Sequence, residues 1–232
     1  MLGSDPFFIL HWIAPSIQCK TPTIDRRSDQ RQSSSLNYGP TLRRPPPPRY
    51  VEQTTHLKLR DYQSNLDRGA SRATEALWLI VKCVAFMPCL PLPSKLRVWV
   101  LCRFGARIGN GVVIRSQVDI TFPWRLTIGD DVWIGEGVKI LNLAEVTIGD
   151  DCCLSQRAFL CAGSHRFDLP NFDLVTKPII VHDGSWITAG VFVAPGVSIG
   201  PNSMCAAGSV VLNDVPANTT VIGNPARPKD EL

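Results

Sequence analysis

From Ile108 to Val211 an aliphatic residue returns every six positions, a period that neither a helix nor a lone amphipathic strand produces. The series runs Ile108, Ile114, Ile120, then Ile128, Ile134, Ile140, then Ile148, Leu154, Leu160. After a long interruption it resumes at Val181, Ile187, Val193, Ile199, Cys205 and Val211, and only Cys205 is not aliphatic. A second column stands four residues after each of these, mostly small or β-branched: Val112, Val118, Trp124, Val132, Val138, Ala144, Cys152, Ala158, Ser164, Ser185, Val191, Val197, Ser203, Ser209 and Val215. A hexad of this kind fits a short strand followed by a corner, with two side chains turned inward per strand. Three such strands close a triangular turn, and stacked turns bury one continuous interior while pairing their backbones with the turns above and below. An antiparallel sandwich would instead show alternation broken by hairpin turns, not fifteen hexads in two aligned columns.

The corners carry the residues that corners need. Glycine follows the aliphatic position at Gly109, Gly129, Gly135, Gly149 and Gly200, and turn formers follow at Asn110, Asp130-Asp131, Asp150-Asp151 and Asn202. Two-residue insertions fall once per turn, before Ile128 and before Ile148. The expected architecture is mainly β, a parallel β-helix of about five turns over 108–216, interrupted once at length by a loop over 161–180.

The flanks differ in texture. Residues 1–56 hold eight prolines, including Pro45–Pro48, show no hydrophobic periodicity, and are expected to form a disordered tail. Residues 57–107 read as a helical lead-in. A first helix spans Ala73 to Met87, stopped by Pro88, and a second is expected to start at Ser94 as N-cap and run to about Phe104 before Gly105. Leu77, Trp78, Ile80, Val81 and Val84 exceed a single apolar stripe. Packing against the rest of the domain or a neighbouring subunit accounts for the excess; peripheral contact with a membrane through 76–104 is the second reading. Residues 217–232 form a C-terminal segment.

The charge balance excludes one class of partner. Of the formal net charge of +4, residues 1–56 carry +3 (seven Lys/Arg against four Asp/Glu), leaving a nearly neutral body with no electrostatic case for nucleic acid. Eight cysteines without a C-x-x-C pair fit neither a zinc site nor a small disulfide scaffold, so reduced thiols and a cytoplasmic setting are expected. The apolar stretch Phe7–Ile13 lacks a preceding basic residue and is interrupted by His11, which does not make a signal peptide. The terminal Lys229-Asp230-Glu231-Leu232 spells a retention signal that has no meaning without secretory entry, and is taken as coincidence.

With its [Ile/Val]-Gly-x-x-[small]-x units, Ile108–Pro216 resembles the hexapeptide-repeat acyltransferases. The resemblance is strongest to the acetyltransferases of colanic-acid-type exopolysaccharide synthesis. It is carried by Leu59-Arg60-Asp61-Tyr62, Arg103-Phe104-Gly105-Ala106-Arg107-Ile108-Gly109, Cys161-Ala162-Gly163-Ser164-His165, Phe172-Asp173-Leu174 and Gly223-Asn224-Pro225-Ala226-Arg227. It covers about residues 57–227 and implies a left-handed helix, a homotrimer with active sites between coils, acetyl-CoA as co-substrate, a saccharide acceptor, and no metal.

Chemistry is expected at the one long loop, because a rigid coil scaffold concentrates function where it is interrupted. His165 opens that loop. Acetyl transfer to a hydroxyl needs a base, and a neutral imidazole, with an ordinary pKa near 6.5, suits the task. The resemblance assigns that role to His165 and places an acidic orienting partner at Asp173. By the same resemblance Asn142, at a corner one turn earlier, lines the acceptor site, although an asparagine there could equally satisfy a turn. Ala189 and Ala207 leave room for the pantetheine arm, and Arg227 is a phosphate partner for coenzyme A. One departure is Asn213 before Asp214-Val215-Pro216, where the family often has lysine. His182 is expected at an outward corner without a role, Trp186 faces outward, and Trp133, Phe159 and Phe192 are outward hydrophobics for a subunit interface. Three other readings stand beside this one: a serine or amino-sugar N-acetyltransferase on the same fold, a non-catalytic β-helix scaffold, and a metal-dependent enzyme of the carbonic-anhydrase kind. The last would need three ligand histidines where the repeat region has only His165 and His182.

Overall fold

Each hexad folds into a strand of two or three residues, and successive strands take successive faces of a three-sided parallel solenoid. The computed structural model describes residues 56–87 and 92–231; the expected proline-rich tail, apart from His56, and the break around Pro88–Pro91 lie outside the described residues. The first face stacks Arg107–Ile108, Leu126–Ile128, Val146–Ile148, Ile179–Val181 and Ser198–Ile199. The second stacks Val113–Ile114, Trp133–Ile134, Cys153–Leu154, Trp186–Ile187, Met204–Cys205 and Thr220–Gly223, and ends in the antiparallel strand Ala226–Pro228. The third stacks Asp119–Ile120, Lys139–Leu141, Phe159–Cys161, Phe192–Val193 and Val210–Val211. Five turns are complete, and a partial sixth begins where Val215 bridges to Ile199.

The register lays the aliphatic column out row by row. Ile108, Ile128, Ile148, Val181 and Ile199 pair along one face, and Ile120, Ile140, Leu160, Val193 and Val211 along another. Apart from the half-buried Ile108, every member of the column is buried, Cys205 included. Each buried Ile, Leu or Val side chain contributes about 1.5–3 kcal/mol, so the stack itself holds the solenoid together.

The second column departs from expectation at three places. Trp124 and Ala144 are only half-buried and Ser164 is exposed, while Leu126, Val146 and Ile179 are buried and paired in register instead. The alternation inside a strand is two residues, so the inward partner keeps its distance from the aliphatic position ahead of it. The insertion therefore lengthens the corner and displaces the residue behind it.

Corners are held by residues in left-handed backbone conformation: Gly111, Asp131, Asp151, Gly184, Asn202 and Asn218 occupy equivalent places in successive turns. Above and below, close approach replaces conformation as the constraint. A Cβ on Gly129 would stand 2.1 Å from Asp150 Oδ1 and 2.8 Å from the Asp150 backbone nitrogen. The carboxylates here act as backbone acceptors, Asp150 Oδ1 taking the Asp130 N–H at 2.7 Å and Asp183 Oδ1 the Asp150 N–H at 3.0 Å.

Two helices close the first turn. α1 (Arg72–Ala85) starts at Ser71, whose hydroxyl accepts the Thr74 N–H at 3.1 Å. Its inner face carries Trp78, fully buried, with the indole N–H donating to the Ile120 carbonyl. α2 spans Ser94–Arg103. Ser94 is its first residue and not the N-cap, because its hydroxyl accepts the Ile114 N–H at 2.7 Å and donates to the Val112 carbonyl, docking the helix on the solenoid. Arg97 is buried and donates to the carbonyls of Leu92, Ala85 and Ile114, joining both helices to the first turn. Burial, and secondarily Arg115, holds its guanidinium below the ordinary arginine range.

Candidate active site

The solenoid is interrupted at the corner between Phe159–Cys161 and Ile179–Val181, where Gly163–His165 and Leu174–Thr176 form an antiparallel hairpin. The hairpin leaves directly over Leu143, and a Cβ on Gly163 would lie 2.7 Å from Leu143 Cδ1. Its base is closed by the Lys177 N–H on the Ala162 carbonyl, and its tip by the Arg166 N–H on the Asp173 carbonyl. The excursion thus returns the chain in register, Ile179 opposite Val146.

His165 sits half-buried at the end of the first hairpin strand. Its Nδ1 is 2.8 Å from the Phe172 carbonyl oxygen, and the two rings stack at 4.2 Å with 5° between planes. A carbonyl can only accept, so Nδ1 carries the proton and, in the neutral ring, Nε2 carries the lone pair. Phe172 adopts φ +54°, a conformation unusual for a bulky residue. Such conformations persist where the surroundings over-determine them, often at functional sites. The Tyr62 ring meets His165 edge-on at 5.6 Å.

Tyr62 arrives on a strap that precedes α1. The Lys58 N–H donates to the Pro170 carbonyl, the Trp124 indole to the Arg68 carbonyl, and Arg125 to the Leu143 and Asp67 carbonyls. The strap and hairpin enclose an open polar pocket of about 470 Å³, whose walls include Gln63, Asn65, Asp67, Arg125, Asp173 and Thr176.

Asp173 and Asn142 make other contacts than the orienting and acceptor-binding ones that the resemblance implied. The group that fixes the His165 tautomer is the Phe172 carbonyl, whereas Asp173 accepts from Asn171 Nδ2 at 2.7 Å and turns to the pocket. Asn142 is fully buried, its Oδ1 accepting the Phe122 N–H at 2.9 Å and its Nδ2 donating to the Phe122 carbonyl at 2.6 Å. Both ends of the amide serve the inserted corner, which is the turn-satisfying alternative.

Ala189 and Ala207 lie exposed one above the other on a different corner, linked by the Gly208 N–H on the Ala189 carbonyl. A Cβ at Gly190 or Gly208 would meet nothing within 4 Å, whereas one turn lower the Arg157 side chain covers Gly137. Arg227 is exposed on the terminal antiparallel strand, its guanidinium donating to the Ala226 carbonyl. Within one chain, His165 and Asp173 therefore share the hairpin, and Ala189 and Ala207 stand at the far end of the third face. His182 is exposed with Nε2 3.3 Å from Ser198 Oγ, and the Trp186 indole donates to Ser155 Oγ. Reading residue types missed the Phe172 carbonyl, the Tyr62 contact and the pocket walls Gln63, Asn65 and Asp67. Only the resemblance blocks around Tyr62 and Phe172 signalled them.

A parallel triangular solenoid, broken once by a hairpin that carries an oriented histidine beside a polar pocket, defines a hexapeptide-repeat transferase. No protein-family model matches the chain. It is 40% identical over 159 residues to the putative colanic acid biosynthesis acetyltransferase WcaF of Escherichia coli, covering 68% of this chain and 87% of that protein. It is 30% identical over 125 residues to the E. coli galactoside O-acetyltransferase, covering 53% of this chain and 62% of that one. Among solved structures, the hexapeptide-repeat acetyltransferase VCA0836 of Vibrio cholerae, complexed with acetyl coenzyme A, superposes with a TM-score of 0.64 at 29% identity, covering 69% of this chain and 90% of its own. The chain belongs to the hexapeptide-repeat acetyltransferases, whose fold is the left-handed β-helix.

Proposed function

We propose that this protein transfers acetyl from acetyl-CoA to a hydroxyl of a saccharide acceptor in exopolysaccharide biosynthesis, with His165 as general base. The observation that carries the reading is the His165 Nδ1 contact to the Phe172 carbonyl, which leaves Nε2 as the proton acceptor. Nε2 takes the hydroxyl proton as the acceptor oxygen bonds to the thioester carbon. The tetrahedral intermediate then expels the CoA thiolate, which recovers the proton from the imidazolium. No acyl-enzyme forms.

The pocket beside the hairpin suits the acceptor, because Asp173, Asp67, Asn65 and Gln63 offer hydrogen-bonding groups to sugar hydroxyls. The open corner at Ala189 and Ala207 suits the pantetheine arm, and Arg227 in the 217–232 segment suits a CoA phosphate. These groups stand at a different corner from His165, which is supported best by a homotrimer that sets the His165 hairpin of one copy against the Ala189 corner of the next. The exposed Trp133 and Trp186, in one column of the second face with Cys153 between them, give such an interface apolar surface. A cytoplasmic position with peripheral membrane contact through the helices completes the reading; no described helix is long and apolar enough to cross a membrane.

The test is acetyl-CoA turnover over a panel of sugars and oligosaccharides for wild type and His165→Ala. Acceptor-dependent release of CoA that collapses in the variant supports the reading. Absence of both turnover and CoA binding in the wild type returns the chain to the scaffold alternative.

A further inference from the structure

α1 and α2 turn an uncharged apolar surface outward. Leu77, Ile80 and Val84 recur at helical spacing on α1 and are 54%, 63% and 64% exposed, and Trp99 on α2 is 63% exposed. No exposed residue from Ala73 to Val84 carries a charge. Between the helices runs an open groove of about 700 Å³, lined by Leu77, Val81, Trp99 and Phe104 with Arg103 at its rim. The inner faces already pack on the first turn through Trp78 and Arg97, so among the described residues this outer surface has no partner.

The exposed charges on the two helices have one sign, while Asp119 beside α1 is neutralised by Lys82. Arg72, Lys95 and Arg103 are the exposed charged residues of the two helices, and the single carboxylate there, Glu75, is buried and paired with Arg68. A second copy packed face to face would bring these cations against their own copies with no carboxylate between them. An apolar ridge with a cationic rim is complementary to acidic headgroups over acyl chains.

We propose that the α1–α2 surface docks on a bilayer rich in acidic phospholipid, lying in the interface without spanning it. This names the lipid partner of the peripheral contact in the proposed function and rests on that part of it. Asp67, a wall of the polar pocket, precedes α1 by five residues, so docking holds that pocket close to the headgroups. A saccharide borne on a lipid would then be presented to it.

The experiment is co-sedimentation of the full chain with phosphatidylcholine vesicles, with or without phosphatidylglycerol, for wild type, Ile80→Glu and Lys95→Glu/Arg103→Glu. Wild type is expected to sediment with the acidic vesicles only. Ile80→Glu is expected to abolish binding, and the double variant to lower it by roughly tenfold or more. Turnover of a soluble acceptor is measured alongside and should not change in either variant. Equal binding to both vesicle types, or to neither, overturns the proposal. So does wild-type self-association in sedimentation velocity that Ile80→Glu removes, which would make a second copy the occupant. Because vesicle binding is read without turnover, failure of the acetyltransferase reading is seen separately.

Discussion

His165 and Phe172 are joined twice, by the Nδ1–carbonyl hydrogen bond of 2.8 Å and by ring stacking at 4.2 Å. The bond sets which nitrogen is basic, and the stack holds the ring in plane. Removal of the base in His165→Ala is expected to lower kcat by about 10²–10⁴-fold. Phe172→Ala keeps the carbonyl and loses the ring, a contact worth about 0.5–1.5 kcal/mol, so kcat should fall by no more than about tenfold. Steady-state kinetics on both variants check the ordering; equal losses would mean that the Phe172 ring, and not the carbonyl bond alone, holds the histidine in its working position.

Asn142 offers a separation of stability from activity. Asn142→Ala leaves the buried Phe122 N–H without its acceptor and the Phe122 carbonyl with the Arg125 N–H, which should cost about 1–3 kcal/mol in urea unfolding. Turnover of the folded fraction should stay near wild type. Unchanged stability with a large loss of kcat would support the acceptor-binding role.

Neighbours in one strand should behave oppositely. Ile134 is fully buried and Trp133 is 64% exposed. Ile134→Ala should destabilise the fold by about 2–5 kcal/mol. Trp133→Ala should leave the subunit's stability alone and shift sedimentation from trimer to monomer. If the wild type is already monomeric, the proposed trimer fails.

Thiol reactivity should follow burial. Desolvation pushes Cys205 up to about 12 and raises Cys152 and Cys161 above the usual thiol range. A raised pKa keeps these groups as unreactive thiols at pH 7–8. Cys83 and Cys102 are exposed. In a Cys19→Ser/Cys89→Ser background, native labelling with an aromatic disulfide should modify Cys83 and Cys102 quickly. Cys205, Cys152 and Cys161 should react only after denaturant; rapid native modification of Cys205 would contradict the packed interior.

How much of this was legible in the chain varies by element. The hexad column and the turn formers are local signals, and Ile114, Ile134, Leu154 and Ile187 fall into one row because every turn has the same length modulo its corner insertion. The insertions were visible, but their consequence was not. Which residue pointed inward after the corner, Leu126 and not Trp124, depends on how the longer corner closes.

The sequence by itself determined the stacked solenoid, its single interruption and the histidine that opens it, because periodicity and turn chemistry act between near neighbours. The tertiary structure decided what orients that histidine, what surrounds it and what remains uncovered. The Phe172 carbonyl has no letter of its own, since every residue carries the same acceptor and only a backbone at φ +54° aims this one. Tyr62 reaches His165, and Asp67 the pocket beside the hairpin, only because Trp124 and Arg125 pin the strap across the solenoid. The outer face of α1 follows from the same physics: one side of the helix packs on the first turn, and the other is exposed among the described residues.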